Sequence, residues 1–479
     1  MRLLHSPCSR AAWSLLGLSV TTVVLAAAPL KAVEKGRQPN FIVILGEGAG
    51  WTSTSVQMDD RNPASRGSGV RTPSLERLAA AGMRFSDGYA ASPRCTPSRA
   101  ALLTGRSPAG LQMTFVGDGN RGGTLNTRLL PPRASLELPQ EETTLAELLK
   151  RAGYATAHFG KWHLGREHPS RHGFDESDGP TGNGGPENVA DPNPKQALEM
   201  TAHGVEFMER QAKAGRPFYL QLSHYPSQEE KRGGQGGGRG ASQELQRKEM
   251  SVADQSVGSL LDAVTRLGLG ATTYVLYTTD HGTPGRNLPL SGGKGTVWEG
   301  GIRVPFLVSG PGVTAGACSH VRVSATDLLP TLAELAGIRE PLPRGVEGGS
   351  FASLLRGGGT GTVKRPRDQF VVHFPHYDKG ESGPASALLL GNYKLVRLYE
   401  TDQRLLFDLS SDPSERTDLA ARMPEKAAEL DRRLTNYLKA VNAQLPVPNP
   451  EYDPSRPSEA LPRGKRGGRC GRMQPGDTP

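Results

Sequence analysis

The chain has 479 residues, 36% of them hydrophobic, with 60 glycines and 38 prolines. That length suits a large α/β domain with a smaller second one, and so much glycine and proline excludes a simple helical bundle. The formal charge of +9 would draw polyanions, but part of the excess is gathered in Arg463, Lys465, Arg466, Arg469 and Arg472, so no nucleic-acid-binding surface is expected.

The N-terminus reads as a secretory signal over residues 1–28. Arg2 and Arg10 precede the mostly apolar stretch from Ala11 to Leu25, and Ala26-Ala27-Ala28 supplies small residues for cleavage. The run is short for a bilayer span, so the expectation is an exported protein, periplasmic or extracellular, with no membrane insertion after cleavage. Of the four cysteines, Cys8 leaves with the signal. Cys95, Cys318 and Cys470 are too few for a disulfide scaffold. Whether Cys318 and Cys470 pair is open.

Phe41 to Leu45 is a continuous apolar run, the pattern of a strand buried on both faces. Phe218 to Leu222, Tyr274 to Tyr277 and Val304 to Val308 read the same way. Helical patterns lie between them. Pro73 to Ala81 carries Leu75 and Leu78 on one face, Thr144 caps a helix with Leu145, Leu148 and Leu149, and Thr326 to Ala336 forms another. This alternation predicts a large, mostly parallel sheet flanked by helices. Lys231 to Ser242 is glycine-rich and predicts a mobile loop. From Phe370 to Leu409 short strands separated by turns predict a small antiparallel sheet, followed by a helix over Pro424 to Val441. A disordered, basic tail is expected after about Pro446.

Ligands of open α/β sheets gather beyond the carboxyl ends of the strands. The first strand runs into Glu47, the Phe218 strand into His224, and the Tyr274 strand into Asp280-His281. Glu47, Asp280 and His281 form a plausible group for a hard divalent cation. Cys95 lies where a helix is expected to begin, near Pro97 or Ser98. There, unpaired N–H groups and Arg99 would favour an anion. The residue-level alternatives for Cys95 are an inert buried thiol or a thiolate nucleophile. Lys161 and His163, two apart in an extended segment, would face one side. Lys294 sits among glycines where the backbone can approach a ligand.

Together these segments resemble the sulfatase family of the alkaline-phosphatase superfamily. Cys95-Thr96-Pro97-Ser98-Arg99 fits its C-x-P-S-R signature, and Ala100 to Arg106 continues the match. Gly160-Lys161-Trp162-His163-Leu164-Gly165, Asp280-His281-Gly282 and Gly292 to Gly301 fit further signatures in order, and the match spans about Asn40 to Pro454. The resemblance implies an alkaline-phosphatase-like catalytic domain over 38–360 and a C-terminal α+β subdomain over 366–450, with a four-stranded antiparallel sheet and a helix. The tail at 455–479 is outside both. It implies a sulfuric ester hydrolase of arylsulfatase type acting on aryl or carbohydrate sulfates. Cys95 would be converted by a maturation enzyme to Cα-formylglycine, whose hydrate attacks sulfur. One calcium ion, rather than magnesium, would sit among Glu47, Asp280, His281 and residue 95. Lys161 and Lys294 would neutralise sulfate oxygens, Arg99 would hold the diol, and His163 would assist its collapse.

Two positions depart from the family pattern. Its adjacent aspartates correspond to Glu47-Gly48, and Gly48 has no side chain to ligate. Its leaving-group histidine aligns with Gln228, with His224 four residues earlier as a substitute. These departures keep two alternatives in view: an impaired homologue that binds sulfated glycans, and a phosphodiester or phosphonate monoester hydrolase of the same superfamily.

Overall fold

An apolar run with no polar alternation must be covered on both sides, and Phe41 to Leu45 is buried at every position. A computed structural model describes residues 38–117, 126–184, 196–226, 239–285, 287–378 and 383–456. The expected signal, Gln228, Cys470 and the basic end of the chain lie outside the described residues.

The central sheet has eight strands: β1 (Asn40–Gly46), β2 (Gly82–Phe85), β3 (Ala155–Gly160), β4 (Glu176–Ser177), β5 (Phe218–Ser223), β6 (Thr273–Thr279), β7 (Phe306–Ser309) and β8 (Ala317–Ser319). Their spatial order is β8-β2-β7-β6-β1-β5-β3-β4. All neighbours are parallel except those of β7, which runs antiparallel to β2 and β6. The mostly parallel sheet expected from the sequence is therefore present, with one reversed strand. That strand begins two residues later than the Val304 expected for it. Alternation along β1 divides it between two cores: Phe41, Val43 and Leu45 face one side, Ile42 and Ile44 the other.

The helices that flank the sheet include α1 (Pro73–Ala81), α2 (Cys95–Thr104), α3 (Leu145–Arg151), α4 (Ala197–Ala214), α5 (Arg239–Arg266) and α6 (Leu328–Leu335). α3 begins as its sequence requires: Thr144 Oγ1 accepts from Glu147 N–H at 3.1 Å, and Glu147 Oε2 accepts from Thr144 N–H at 2.7 Å. α6 is shorter than expected because Ala325–Asp327 forms a separate 3₁₀ turn. The end of the glycine-rich stretch is helical rather than a loop, since α5 already starts at Arg239. α2 begins at Cys95 itself, two residues before the proline expected to open it, and every one of its residues is buried. Among the described residues no helix is long and apolar enough to cross a membrane.

The second sheet is an antiparallel meander of β9 (Phe370–Phe374), β10 (Ala385–Leu390), β11 (Tyr393–Leu398) and β12 (Gln403–Asp408). Helix α7 (Pro424–Ala440) covers one face through Leu430, Leu434 and Leu438. The other face carries Val372, Ala387, Val396 and Phe407 against Tyr89, Val297 and Ile302 of the larger part. The chain beyond Pro446, expected to be disordered, is tied down as far as Arg456. Val447–Pro448 pairs with Leu129–Leu130, and Asn126 Nδ2 donates to the carbonyls of Asp453 and Arg456.

A buried ionic cluster joins the two parts. Lys394 on β11 reaches Glu299 Oε1 at 2.9 Å and Glu415 Oε1 at 2.7 Å, and Tyr89 donates to Glu299 Oε2 at 2.7 Å. The lysine and both carboxylates are shielded from water. Removing one partner of such a cluster strands the opposite charges in a poor dielectric. Lys394→Met should therefore lower unfolding free energy by about 3–5 kcal/mol. Urea denaturation checks this, and a loss below roughly 0.5 kcal/mol, the size of an ordinary surface change, would contradict it.

Candidate active site

The carboxyl ends of the parallel strands bring the chemistry together. Glu47 follows β1, Asp280 and His281 follow β6, Lys161 and His163 follow β3, and Cys95 is the first residue of α2. The turn after β3 depends on Gly160: at φ +94°, an added Cβ would stand 2.0 Å from the Ser223 carbonyl of β5. That close approach lets Lys161 N–H donate to the same carbonyl at 2.8 Å and aims the lysine inward.

The side chains meet around one carboxylate. Glu47 Oε2 accepts from Lys161 Nζ at 2.8 Å and from Arg99 Nη2 at 3.0 Å. Glu47 Oε1 lies 3.4 Å from Lys294 Nζ and 3.3 Å from Cys95 Sγ. Arg99 Nη2 also reaches Asp280 Oδ2 at 3.0 Å, and Arg99 Nη1 donates to the Lys161 carbonyl at 2.6 Å. His281 Nε2 is 3.2 Å from Cys95 Sγ. Glu47, Arg99, Lys161, Asp280 and His281 are all buried, and Lys294 nearly so. His163 occupies left-handed backbone at φ +56°, not the extended conformation expected, yet its ring lies 3.4 Å from Oγ1 of Thr96, the residue next to Cys95.

The electrostatics follow from this packing. Burial pushes the Cys95 thiol up, as does Glu47, but Lys161, Lys294 and His281 outweigh both and hold it well below the usual thiol range. Burial also acts against ionised Glu47, and the same two lysines and His281 overcome it and hold that carboxyl low. Asp280 goes the other way: burial and the Glu47 charge push it up to about 6. His281 is disfavoured as a cation by burial, but Asp280 raises it to about 9. His163 is lowered, chiefly by burial.

Glu47, Cys95, Asp280 and His281 each present a ligand atom, all within 4.8 Å of one another. Two buried carboxylates so close are a poor pair in a low dielectric, and a divalent cation relieves that repulsion, so the donor set fits one. Gly48 contributes only backbone. It has φ +61°, its N–H donates to Asp280 Oδ1 at 3.1 Å, and a Cβ there would meet His281 Cε1 at 3.3 Å. The ring of His281 thus fills the space beside Gly48.

His224 is buried after β5. Its N–H donates to the Leu45 carbonyl at 3.0 Å, and its Nε2 is 3.0 Å from Ser256 Oγ on α5. Sequence reasoning missed a pair at the rim, Arg94 with Asp378. Asp378 lies four residues past β9 of the antiparallel sheet, away from the parallel strand ends that singled out the other residues, and an added Cβ at Gly295 would press on its carboxylate. The second sheet thereby contributes to the surroundings of Cys95.

A family model described as Sulfatase matches residues 39–338, and one described as N-sulphoglucosamine sulphohydrolase, C-terminal, matches 293–444. The chain is 32% identical to N-acetylgalactosamine-6-sulfatase of Canis lupus familiaris, over 78% of this chain and 74% of that one. It is 31% identical to arylsulfatase A of Homo sapiens, over 88% and 91%. The crystal structure of the PsFucS1 sulfatase from Pseudoalteromonas sp. superposes with a TM-score of 0.64 at 22% identity, covering 86% of this chain and 92% of that one.

The lowered Cys95 thiol is directly measurable on protein whose Cys95 has not been converted. Because the folded state favours the thiolate, its ultraviolet absorption should appear at lower pH than in the unfolded chain. Lys294→Met should move that step upward. A Cys95 step at or above the ordinary thiol range, unmoved by Lys294→Met, would show that the lysines do not act on it.

Proposed function

This chain belongs to the sulfatase family of sulfuric ester hydrolases, and on that premise we propose that it cleaves aryl or carbohydrate sulfate esters with residue 95 as the matured nucleophile. The observation that carries the reading is the convergence of Arg99, Lys161 and Lys294 on the Glu47 carboxylate, which touches Cys95 at the start of a buried helix, so that both lysines act on the Cys95 side chain. Cationic groups held in place around one reacting atom suit a transferring sulfuryl group, whose oxygens carry negative charge throughout.

The work of the side chains follows from where they stand. Once Cys95 is oxidised to formylglycine and hydrated, one hydroxyl of residue 95 attacks sulfur while the S–O bond to the alcohol breaks. Lys161 and Lys294 neutralise sulfuryl oxygens, and Arg99 fixes the diol. His163, whose buried ring is kept neutral, takes the proton of the second hydroxyl as the C–O bond to sulfate breaks and the aldehyde returns. Glu47, Asp280, His281 and an oxygen of residue 95 would hold one divalent cation, which when bound polarises the sulfate. Calcium is the expected ion; with Gly48 offering no carboxylate, it is bound more weakly than by two adjacent aspartates. His224 would act as the leaving-group acid, and a poor acid at that position penalises sugar alcohols more than phenols. Export to the periplasm or exterior and dependence on a maturation enzyme belong to the same proposal.

Gly48 favours a second reading, a homologue that binds sulfated glycans without turnover. Assays on nitrophenyl sulfate, a nitrophenyl phosphate diester and sulfated polysaccharides separate these. Turnover of nitrophenyl sulfate should vanish in Cys95→Ala. It should fall about 10²–10⁴-fold in His163→Ala and on the order of 10²–10³-fold in Lys161→Ala. Turnover of the phosphate diester alone would place the chain among the phosphoester hydrolases. Glycan binding with no turnover would support the second reading.

A further inference from the structure

A second group of metal-ligating side chains lies outside the site just described. Asp60, Cys318 and His320 each present one ligand atom, all within 4.8 Å of one another. Cys318 is on the edge strand β8 and His320 comes two residues later, so extended backbone sends both side chains to one side. Asp60 comes from the connection that starts at Glu47. His320 Nε2 stands 3.1 Å from Asp60 Oδ1.

The ring is oriented from within. His320 Nδ1 is 2.9 Å from Ser86 Oγ, and that buried hydroxyl lies 2.7 Å from Asp87 Oδ2. Asp87 is paired with Arg303 at 3.3 Å, which keeps it an acceptor. Ser86 has a single hydroxyl proton. Donating it to Asp87 leaves Ser86 accepting from Nδ1–H of His320. In the neutral ring Nε2 then carries a lone pair facing the Asp60 carboxylate, an arrangement that needs a cation between them or a second proton on the ring. A ligating histidine whose other nitrogen is fixed by a buried partner is the usual build of a protein metal site.

We propose that Cys318, His320 Nε2 and Asp60 form a second metal site, for a borderline divalent cation of the zinc class, closed by water in the fourth position. Thiolate, imidazole and carboxylate together suit zinc rather than calcium or magnesium. His320 and Asp60 keep side-chain exposures of 32% and 48%, so the fourth position is open to solvent. Burial pushes the Cys318 thiol up, so its ionisation would come with the metal. Asp59 is not counted as a ligand, because Arg61 already holds its carboxylate at 3.2 Å. The site would clip the Glu47 connection to the sheet edge, and it stands independently of the reaction proposed above.

The test is a cobalt(II) titration of the full chain carrying Cys95→Ser, which removes the thiol of the candidate active site. A near-ultraviolet thiolate-to-cobalt band should saturate at one equivalent and be displaced by zinc. Adding Cys318→Ser should abolish it. Ser86→Ala should keep the band but weaken binding about 10–100-fold, the size expected for losing the group that orients a ligand. His320→Gln, at an exposed ring, should weaken binding at least as much and covers the case in which Cys318→Ser does not fold. Absence of the band overturns the proposal, as a Cys318–Cys470 disulfide or a bare imidazolium–Asp60 pair would produce. So does a band that survives Cys318→Ser.

Discussion

Everything at the candidate active site turns on the Glu47 carboxylate. It is buried, and Lys161, Arg99 and Lys294 all reach it. A single buried carboxylate facing three cations cannot neutralise them, even with Asp280 beside it, so the group keeps an excess of positive charge directed at residue 95. In water such an excess would be screened; in a dry interior it is both expensive and effective. Protein segments far apart in sequence are held in register by these contacts, since Glu47, Cys95 and Lys161 lie on three different connections of the sheet and Asp280 and Lys294 share a fourth.

The fold supplies the conditions for that arrangement. Parallel strands end together, so the residues just past each strand meet at one edge of the sheet. Complete burial of α2 fixes its first residue against the strands, with the positive end of the helix adding to the field at Cys95. The meander sheet is more than an appendage. It donates Asp378 to the rim and is fastened to the larger part through Lys394 and the helix that begins at Glu299.

Much of this was legible in the sequence because it depends on short-range pattern. The apolar run at Phe41, the capping pair Thr144 and Glu147, and the strand ends at Glu47 and Asp280 all carry their signal within a few residues. The signature around Cys95 also named the residues that the structure brings together. What escaped was long-range or conformational. Lys394 sits in a strand pattern where a lysine ordinarily marks the solvent side, and only the tertiary fold shows that its side chain enters the buried interface. The left-handed turn at His163 and the start of α2 at Cys95 rather than Pro97 are set by contacts across the site, not by local preference. The early start of α5 overrode glycine-rich composition, which argues for a loop by propensity alone. The space beside Gly48 is filled by the ring of His281, a long-range relation that no reading of adjacent residues supplies.

The central claim is that the charge gathered around residue 95 serves an oxidised cysteine and not a thiol. Mass spectrometry of the peptide containing residue 95, from protein produced together with a formylglycine-generating enzyme, addresses it most directly. The account predicts a peptide lighter by about 18 Da, the change from thiol to aldehyde, in the active fraction. An active protein in which residue 95 remains an unmodified cysteine would contradict it.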